Sequence, residues 1–174
     1  MSTLVTLDLS NCGLDGEDLD FLALANACPN LEKLVLAGND LSPWLETSSQ
    51  HVPMSQTQGF KAVIENLLSL VYLKKLRTLN LSKTNLGIVS SYLGAVIAVI
   101  VSNGVLEHIE LHGISLSKKA YAYCIVACSQ MRRLSRMPVV MHCEGNKNSD
   151  FFKERVQLWN QVCQKENHKQ ALSI

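Results

Sequence analysis

The chain has almost no net charge to act through. Sixteen Lys and Arg stand against fifteen Asp and Glu in 174 residues, a formal charge of +1 at pH 7. That balance removes the electrostatic case for nucleic acid or an anionic membrane surface. Aromatic residues are sparse, at 6%, and charged residues reach only 18%, yet 47% of the chain is hydrophobic. Such a composition argues against disorder and allows one domain with a sizeable core. Long apolar runs are lacking too. The most apolar window, YLGAVIAVIV at 92–101, is too short to cross a bilayer; it predicts a buried helix and no membrane insertion. The opening MSTLVTLDLSNCG has neither the basic start nor the apolar stretch of a secretory leader. Cys12, Cys28, Cys124, Cys128, Cys143 and Cys163 are therefore expected to be reduced thiols of a cytoplasmic protein. Signatures of chemistry are also wanting: no GxSxG elbow, no GxxxxGK(S/T) loop and no HExxH helix.

What the sequence does have is a repeat. LVTLDLSNCGL (4–14), LEKLVLAGNDL (31–41), LRTLNLSKTNL (76–86) and LEHIELHGISL (106–116) align without gaps, and places one, four, six and eleven are Leu or Ile in every copy. Places four and six lie two apart, so on a strand both point into the core. Place one buries where the chain enters the strand, and place eleven after it has bent away. Place nine calls for a short polar side chain that bonds the bent backbone. Asn39 fits this role, Cys12 and Thr84 are acceptable, and Ile114 breaks it. A looser turn is expected in the fourth coil.

Helical patterns fill the intervals. GEDLDFLALANACPN (16–30) has acidic residues placed for a first turn, a stripe at Leu19, Leu22 and Leu24, and Pro29 as a stop. The second is FKAVIENLLSLVYLKK (60–75), with Phe60, Val63, Ile64, Leu67, Leu68 and Val71 on one side. IVSSYLGAVIAVIVSNG (88–104) closes on Gly104, and SKKAYAYCIVACSQ (117–130) starts from a capping Ser117. Cys124 and Cys128 lie four apart on this last helix, as buried thiols.

Strand segments of this form at a period near 28 are the signature of leucine-rich repeats. Over residues 4–134 the chain resembles the ribonuclease-inhibitor-like class of leucine-rich-repeat proteins. The resemblance implies an α/β fold: a right-handed solenoid with a short parallel sheet on the concave side and helices on the convex side. By analogy with the class, a protein partner is expected at the concave face or its rims; with the signatures of chemistry wanting, no catalytic residue, metal or cofactor is expected. Some members of the class activate small GTPases, so a regulator of an enzyme or GTPase is the rival reading. Modules with decayed repeats also occur in host-directed bacterial effectors, which would act in the host cytoplasm.

Three regions depart from the pattern. The interval between the second and third copies is too long, and SPWLETSSQHVPMSQTQG (42–59) is read as a protruding loop. Its Trp44 either folds back onto its own coil or stands out as an aromatic anchor. LSRMPVVMHCEGN (134–146) keeps the period if Leu134, Met137 and Val139 take places one, four and six, with Pro138 suiting an edge strand. With a last helix at about Asp150 to Asn167, residues 135–174 form a C-terminal cap. At the other end strand one starts at Leu4, leaving an uncapped edge that is open to self-association or covered by a longer chain.

On each strand, places three, five and seven face away from the core. They are Thr6, Asp8 and Ser10; Lys33, Val35 and Ala37; Thr78, Asn80 and Ser82; His108, Glu110 and His112. With Lys83 and Trp44, the candidate partner-binding residues are Thr6, Asp8, Lys33, Val35, Thr78, Asn80, His108, Glu110 and His112. His108-Ile-Glu110-Leu-His112 is the one pattern with a look of metal ligation. Its two histidines stand about 13 Å apart on an extended strand, too far to share one ion comfortably. Imidazoles flanking a carboxylate make that part of the face sensitive to pH near neutrality.

Overall fold

The structure is a computed structural model and describes residues 3–42, 58–103, 106–133 and 140–143, with 146, 148, 150, 151, 153–155 and 157. Trp44 and the rest of the expected loop from 43 to 57, Leu134, Met137, Val139 and most of the expected last helix lie outside these residues, as does the side chain of Cys128.

Five strands of three residues make one parallel sheet in chain order: β1 (Thr6–Asp8), β2 (Lys33–Val35), β3 (Thr78–Asn80), β4 (His108–Glu110) and β5 (Val140–His142). The register sets Leu7, Leu34, Leu79, Ile109 and Met141 side by side. These are the place-four residues of successive coils. Parallel neighbours need a crossover, and helices supply it: α1 (Phe21–Ala27), α2 (Gln58–Leu68), α3 (Ser90–Asn103) and α4 (Lys118–Arg133). Leu34, Leu36, Leu79, Leu81, Ile109 and Leu111 are fully buried in one core with Phe21, Phe60, Leu67, Leu93, Ile97 and Tyr121 from the crossovers. Burying a side chain of this size contributes about 1.5–3 kcal/mol. The first coil is less covered, with Leu4 and Val5 exposed and Leu7 and Leu9 half-buried.

Helices three and four press together where Gly94 meets Ala120; a Cβ on Gly94 would stand 2.4 Å from the Ala120 Cα. Phe60 and Tyr92 meet edge to face at 4.8 Å. Ser117 caps α4, its Oγ accepting from the Ala120 amide at 3.1 Å. Helix one corrects the sequence-based expectation. It is short, Asp20 is its N-cap with Oδ1 accepting from the Ala23 amide, and Phe21 and Ala25 are buried while Leu22 is exposed. The acids before it do not form a first turn. Asp15 Oδ1 accepts from the amides of Glu17 and Asp18, and Asp18 Oδ2 from the Asp15 amide, so their side chains hold a loop together. Asn66 of α2 secures this start from outside, accepting from the Phe21 amide at 2.9 Å and donating to the Leu19 carbonyl.

The bend after each strand follows one rule. Place eight is left-handed in all four coils: Asn11 (φ 54°), Gly38 (φ 74°), Lys83 (φ 56°) and Gly113 (φ 71°). Glycine and asparagine tolerate this conformation, and Lys83 is the one residue of the four that does so at a steric cost. Place nine closes the bend. Asn39 Oδ1 accepts from the amides of Cys12 and Leu14 at 3.0 and 3.1 Å, and its Nδ2 donates to the carbonyls of Leu9 and Leu36, both at 2.8 Å. Thr84 donates its hydroxyl to the Leu81 carbonyl at 2.6 Å. Cys12 is exposed and takes part through its backbone amide.

The fifth coil is a second correction. Because His108 pairs with Val140 and Glu110 with His142, places four, six and nine are Met141, Cys143 and Asn146, four residues later than the 28-residue period predicts. Asn146 is buried, and its Nδ2 donates to the Leu111 carbonyl at 2.6 Å; Asn148 Nδ2 donates to the Leu116 carbonyl at 3.0 Å. The fourth turn is therefore not left loose by Ile114. That side chain is 1% exposed, and the carbonyls of its coil are bonded by the coil that follows. Beyond it, Asp150, Phe151, residues 153–155 and Gln157 have helical backbone.

Candidate functional site

Strand alternation turns places three, five and seven away from the helices, onto an open face of the sheet. Adjacent strands stand about 4.8 Å apart, so register makes continuous rows. Thr6, Lys33, Thr78 and His108 form one, and Asp8, Val35, Asn80, Glu110 and His142 the next. Thr6, Asp8, Lys33 and His108 are exposed; Thr78, Asn80, Glu110, His112 and His142 are half-buried. Val35 departs from the expectation of a contact residue. It belongs to the row but is only 7% exposed, a short branched side chain set between Asp8 and Asn80, and it offers a partner little area. Lys83 is exposed at the bend, its Cγ 3.0 Å from where a Cβ on Gly113 would stand. Trp44 lies outside the described residues.

The middle of the face is tied down. Asn80 Nδ2 donates to Glu110 Oε2 at 2.5 Å, and Asn80 Oδ1 accepts from the Ser82 amide at 2.9 Å. Ser82 Oγ in turn accepts from the His112 amide at 3.1 Å. At the β1 end, the Ser10 hydroxyl and amide donate to Asp8 Oδ1 at 2.6 and 2.9 Å. Those bonds hold the Asp8 carboxyl below the usual range, the hydroxyl counting most and Lys33 adding a little, against slight desolvation. At the entrance to the strands Arg77 of the third coil pairs with Glu107 of the fourth.

The sequence missed His142. Place five of β5 sits diagonally between places three and seven of β4, so its ring comes between those of His108 and His112. The centroid distances are 6.1 and 6.4 Å and the interplanar angles 17° and 36°. The signal was present: in PVVMHCEGN an Asn at place nine fixes the register that puts His142 at place five. Among the described residues no group of three or more His, Cys, Asp or Glu is gathered as a metal would require. Cys12, Cys28, Cys124 and Cys143 carry no disulfide. Behind the sheet, burial pushes the Tyr121 phenol well above the usual range, with Cys143 adding to the rise and the Asn146 amide opposing it.

A separate groove runs between the 15–20 loop and α2, lined by Asp15, Glu17, Asp20, Asp40 and Glu65. It lies away from the open face and adjoins Ser42 and Gly59, which flank the segment outside the described residues.

A family model described as Leucine Rich repeat matches residues 1–23. The match supports a leucine-rich repeat over those residues, and the five-stranded parallel sheet with its helices is compatible with that fold. Leucine-rich repeats generally mediate protein–protein interaction and are typically non-catalytic. Nothing similar was found among the curated proteins or the solved structures. Among the described residues no helix is long and apolar enough to cross a membrane.

Proposed function

We propose that the chain is a leucine-rich-repeat solenoid of the ribonuclease-inhibitor-like class, right-handed, that binds a partner protein through the concave, open face of its sheet and catalyses nothing itself. Residues 1–134 make four repeats, and residues 135–174 close the C-terminal end. One observation carries this reading. The sheet packs one face against the helices, with Leu34, Leu79 and Ile109 fully buried, while the other presents Asn80, Glu110 and His142 in register, flanked by His108 and His112 and half-buried without joining the core. Half-buried polar groups held by hydrogen bonds are pre-organised for contact, which lowers the ordering cost of binding. Thr6, Asp8, Lys33, Thr78 and Lys83 extend the surface across the earlier coils.

The test is affinity capture from a cell extract with the intact chain and with a variant carrying Lys33→Glu, Asn80→Arg and His108→Glu. Proteins retained by the first and lost by the second support the reading. A variant that keeps every captured protein overturns it. A GTPase among the lost proteins selects the regulatory variant of the same reading.

A second reading is favoured by the first coil, where Leu4, Val5 and Leu22 are 38%, 46% and 46% exposed beside the edge of β1. Such an edge invites another chain, here a second copy. Sedimentation equilibrium checks it: Val5→Lys should abolish dimers if they form there, and a monomer at all concentrations ends this reading.

A further inference from the structure

The chain has five histidines, and three of them meet on one patch from two strands. His142 lies between His108 and His112, with ring centroids 6.1 and 6.4 Å away. The charges facing this patch can be named strand by strand. Asn80 and Ser82 of the third coil are neutral; Lys83 follows them at the bend. Glu110 is the carboxylate of β4, and it accepts from Asn80. Farther along the face stand Lys33 and Asp8. Glu144, next but one after His142, lies outside the described residues. Two lysines against two carboxylates cancel, so the sign of the described face is set by how many imidazoles carry a proton.

We propose that His108, His112 and His142 form a proton-loaded patch that takes an acidic segment of a partner protein, laid over β4 and β5. The proposal rests on the open face being the binding face. Imidazolium rings at this spacing repel one another, and a carboxylate set against them relieves that repulsion while gaining charge-assisted hydrogen bonds. The complex therefore holds more protons than the free chain, and binding tightens as pH falls. Glu110 works against the incoming acid, and Asn80 blunts it by occupying one carboxylate oxygen. A solvated row of polar residues would have no such proton linkage.

The probe is a fluorescent peptide of alternating Asp and Gly, whose carboxylates stay ionised over the histidine range. Its anisotropy is titrated with the full 174-residue chain at about pH 5.5, 6.5 and 7.5, the window in which histidine changes charge. One proton taken up per complex tightens the dissociation constant by about tenfold per pH unit. His142→Gln, at a half-buried surface position, should flatten that slope; Glu110→Gln should tighten binding at the highest pH; His51→Gln, away from β4 and β5 in sequence, should leave the slope unchanged. Circular dichroism confirms that each variant is folded. Absence of binding at every pH, a flat profile, or an equal slope in the His142 variant overturns the proposal. If the triple variant of the capture experiment loses its partners while the peptide shows no pH response, this inference falls and the binding-face reading stands. If the triple variant keeps them all, the reading falls, and the peptide titration still decides the patch.

Discussion

The second and fourth coils make the same bend with opposite residues at the same place. In the second, Asn39 is 2% exposed and makes four hydrogen bonds to backbone. In the fourth, Ile114 is 1% exposed and its side chain makes none. Both bends hold because the requirement is set by the carbonyls at place six, which must find donors once buried. Asn39 serves Leu9 and Leu36, Thr84 serves Leu81, and Asn146 serves Leu111. Each of those four carbonyls has a side-chain donor, from its own coil or the next. Ile114 is tolerated because Thr84 before it and Asn146 after it already cover the carbonyls it would have served. A repeat position is thus satisfied by a stack of coils, not by each coil alone.

The sharpest way to break the comparison is to move the fourth coil's residue into the second. Asn39→Ile removes both donors and the shared acceptor at once, and no neighbour replaces them for Leu9. Stranding the buried Leu36 carbonyl together with the part-buried Leu9 carbonyl and the Cys12 and Leu14 amides should cost about 3–5 kcal/mol. The urea midpoint reads the loss; a change of under about 1 kcal/mol would show that the carbonyls do not govern the bend. Asn146→Ala is the next largest. It leaves the Leu111 carbonyl to the Ile114 amide at 3.3 Å, a poorer bond, and should cost about 1–3 kcal/mol. Since that carbonyl belongs to the fourth coil, amide exchange should quicken there while the second coil stays protected. Equal protection in both coils would contradict the account. Thr84→Val keeps shape and burial and removes one donor, from Leu81, for about 1–2 kcal/mol. An unchanged midpoint would mean that this carbonyl has another partner.

The sheet was legible in the sequence because its signal is redundant. Places one, four, six and eleven repeat in four copies, and the register of Leu7, Leu34, Leu79 and Ile109 follows from them. The sequence alone misplaces the fifth strand because Leu134 falls at the expected period, whereas the register sets Met141, not Met137, at place four. Counting aliphatic residues favoured the wrong frame; the asparagine at place nine marked the right one. The same slip hid His142, so the sequence showed the histidines of β4 without the ring between them. The sequence alone extends helix one too far because acids before a helix look like a charged first turn. In the structure they bond to their own loop, and local side-chain-to-backbone bonds compete with helix there. Val35 reads as a surface residue from alternation alone; its neighbours in the row decide that it is covered.

The smallest expected effect separates the two bends by pH. At place ten the second coil has Asp40 and the fourth has Ser115. Asp40 Oδ1 accepts from the Ser42 hydroxyl at 2.6 Å, from the Ser42 amide at 3.2 Å, and from Asn85 of the third coil at 3.2 Å. The Ser42 hydroxyl contributes most to holding this carboxyl below its usual range; desolvation opposes it, and Asn85 and the Ser42 amide add smaller amounts to the lowering. A depressed folded value means that the charged form is favoured by folding. The contribution is whole above the ordinary aspartate pKa of about 3.9 and fades as pH falls through the lower folded value. Asp40→Asn should therefore lower the melting temperature slightly at neutral pH, and the gap from the parent should close in acid. Asp40 is exposed, so solvent screening keeps the gap small. A gap that persists unchanged in acid would place the effect in packing and not in the carboxylate. In Ser115→Asn, the matching change in the fourth coil, no carboxylate is lost and the melting curves should keep the parent's dependence on pH.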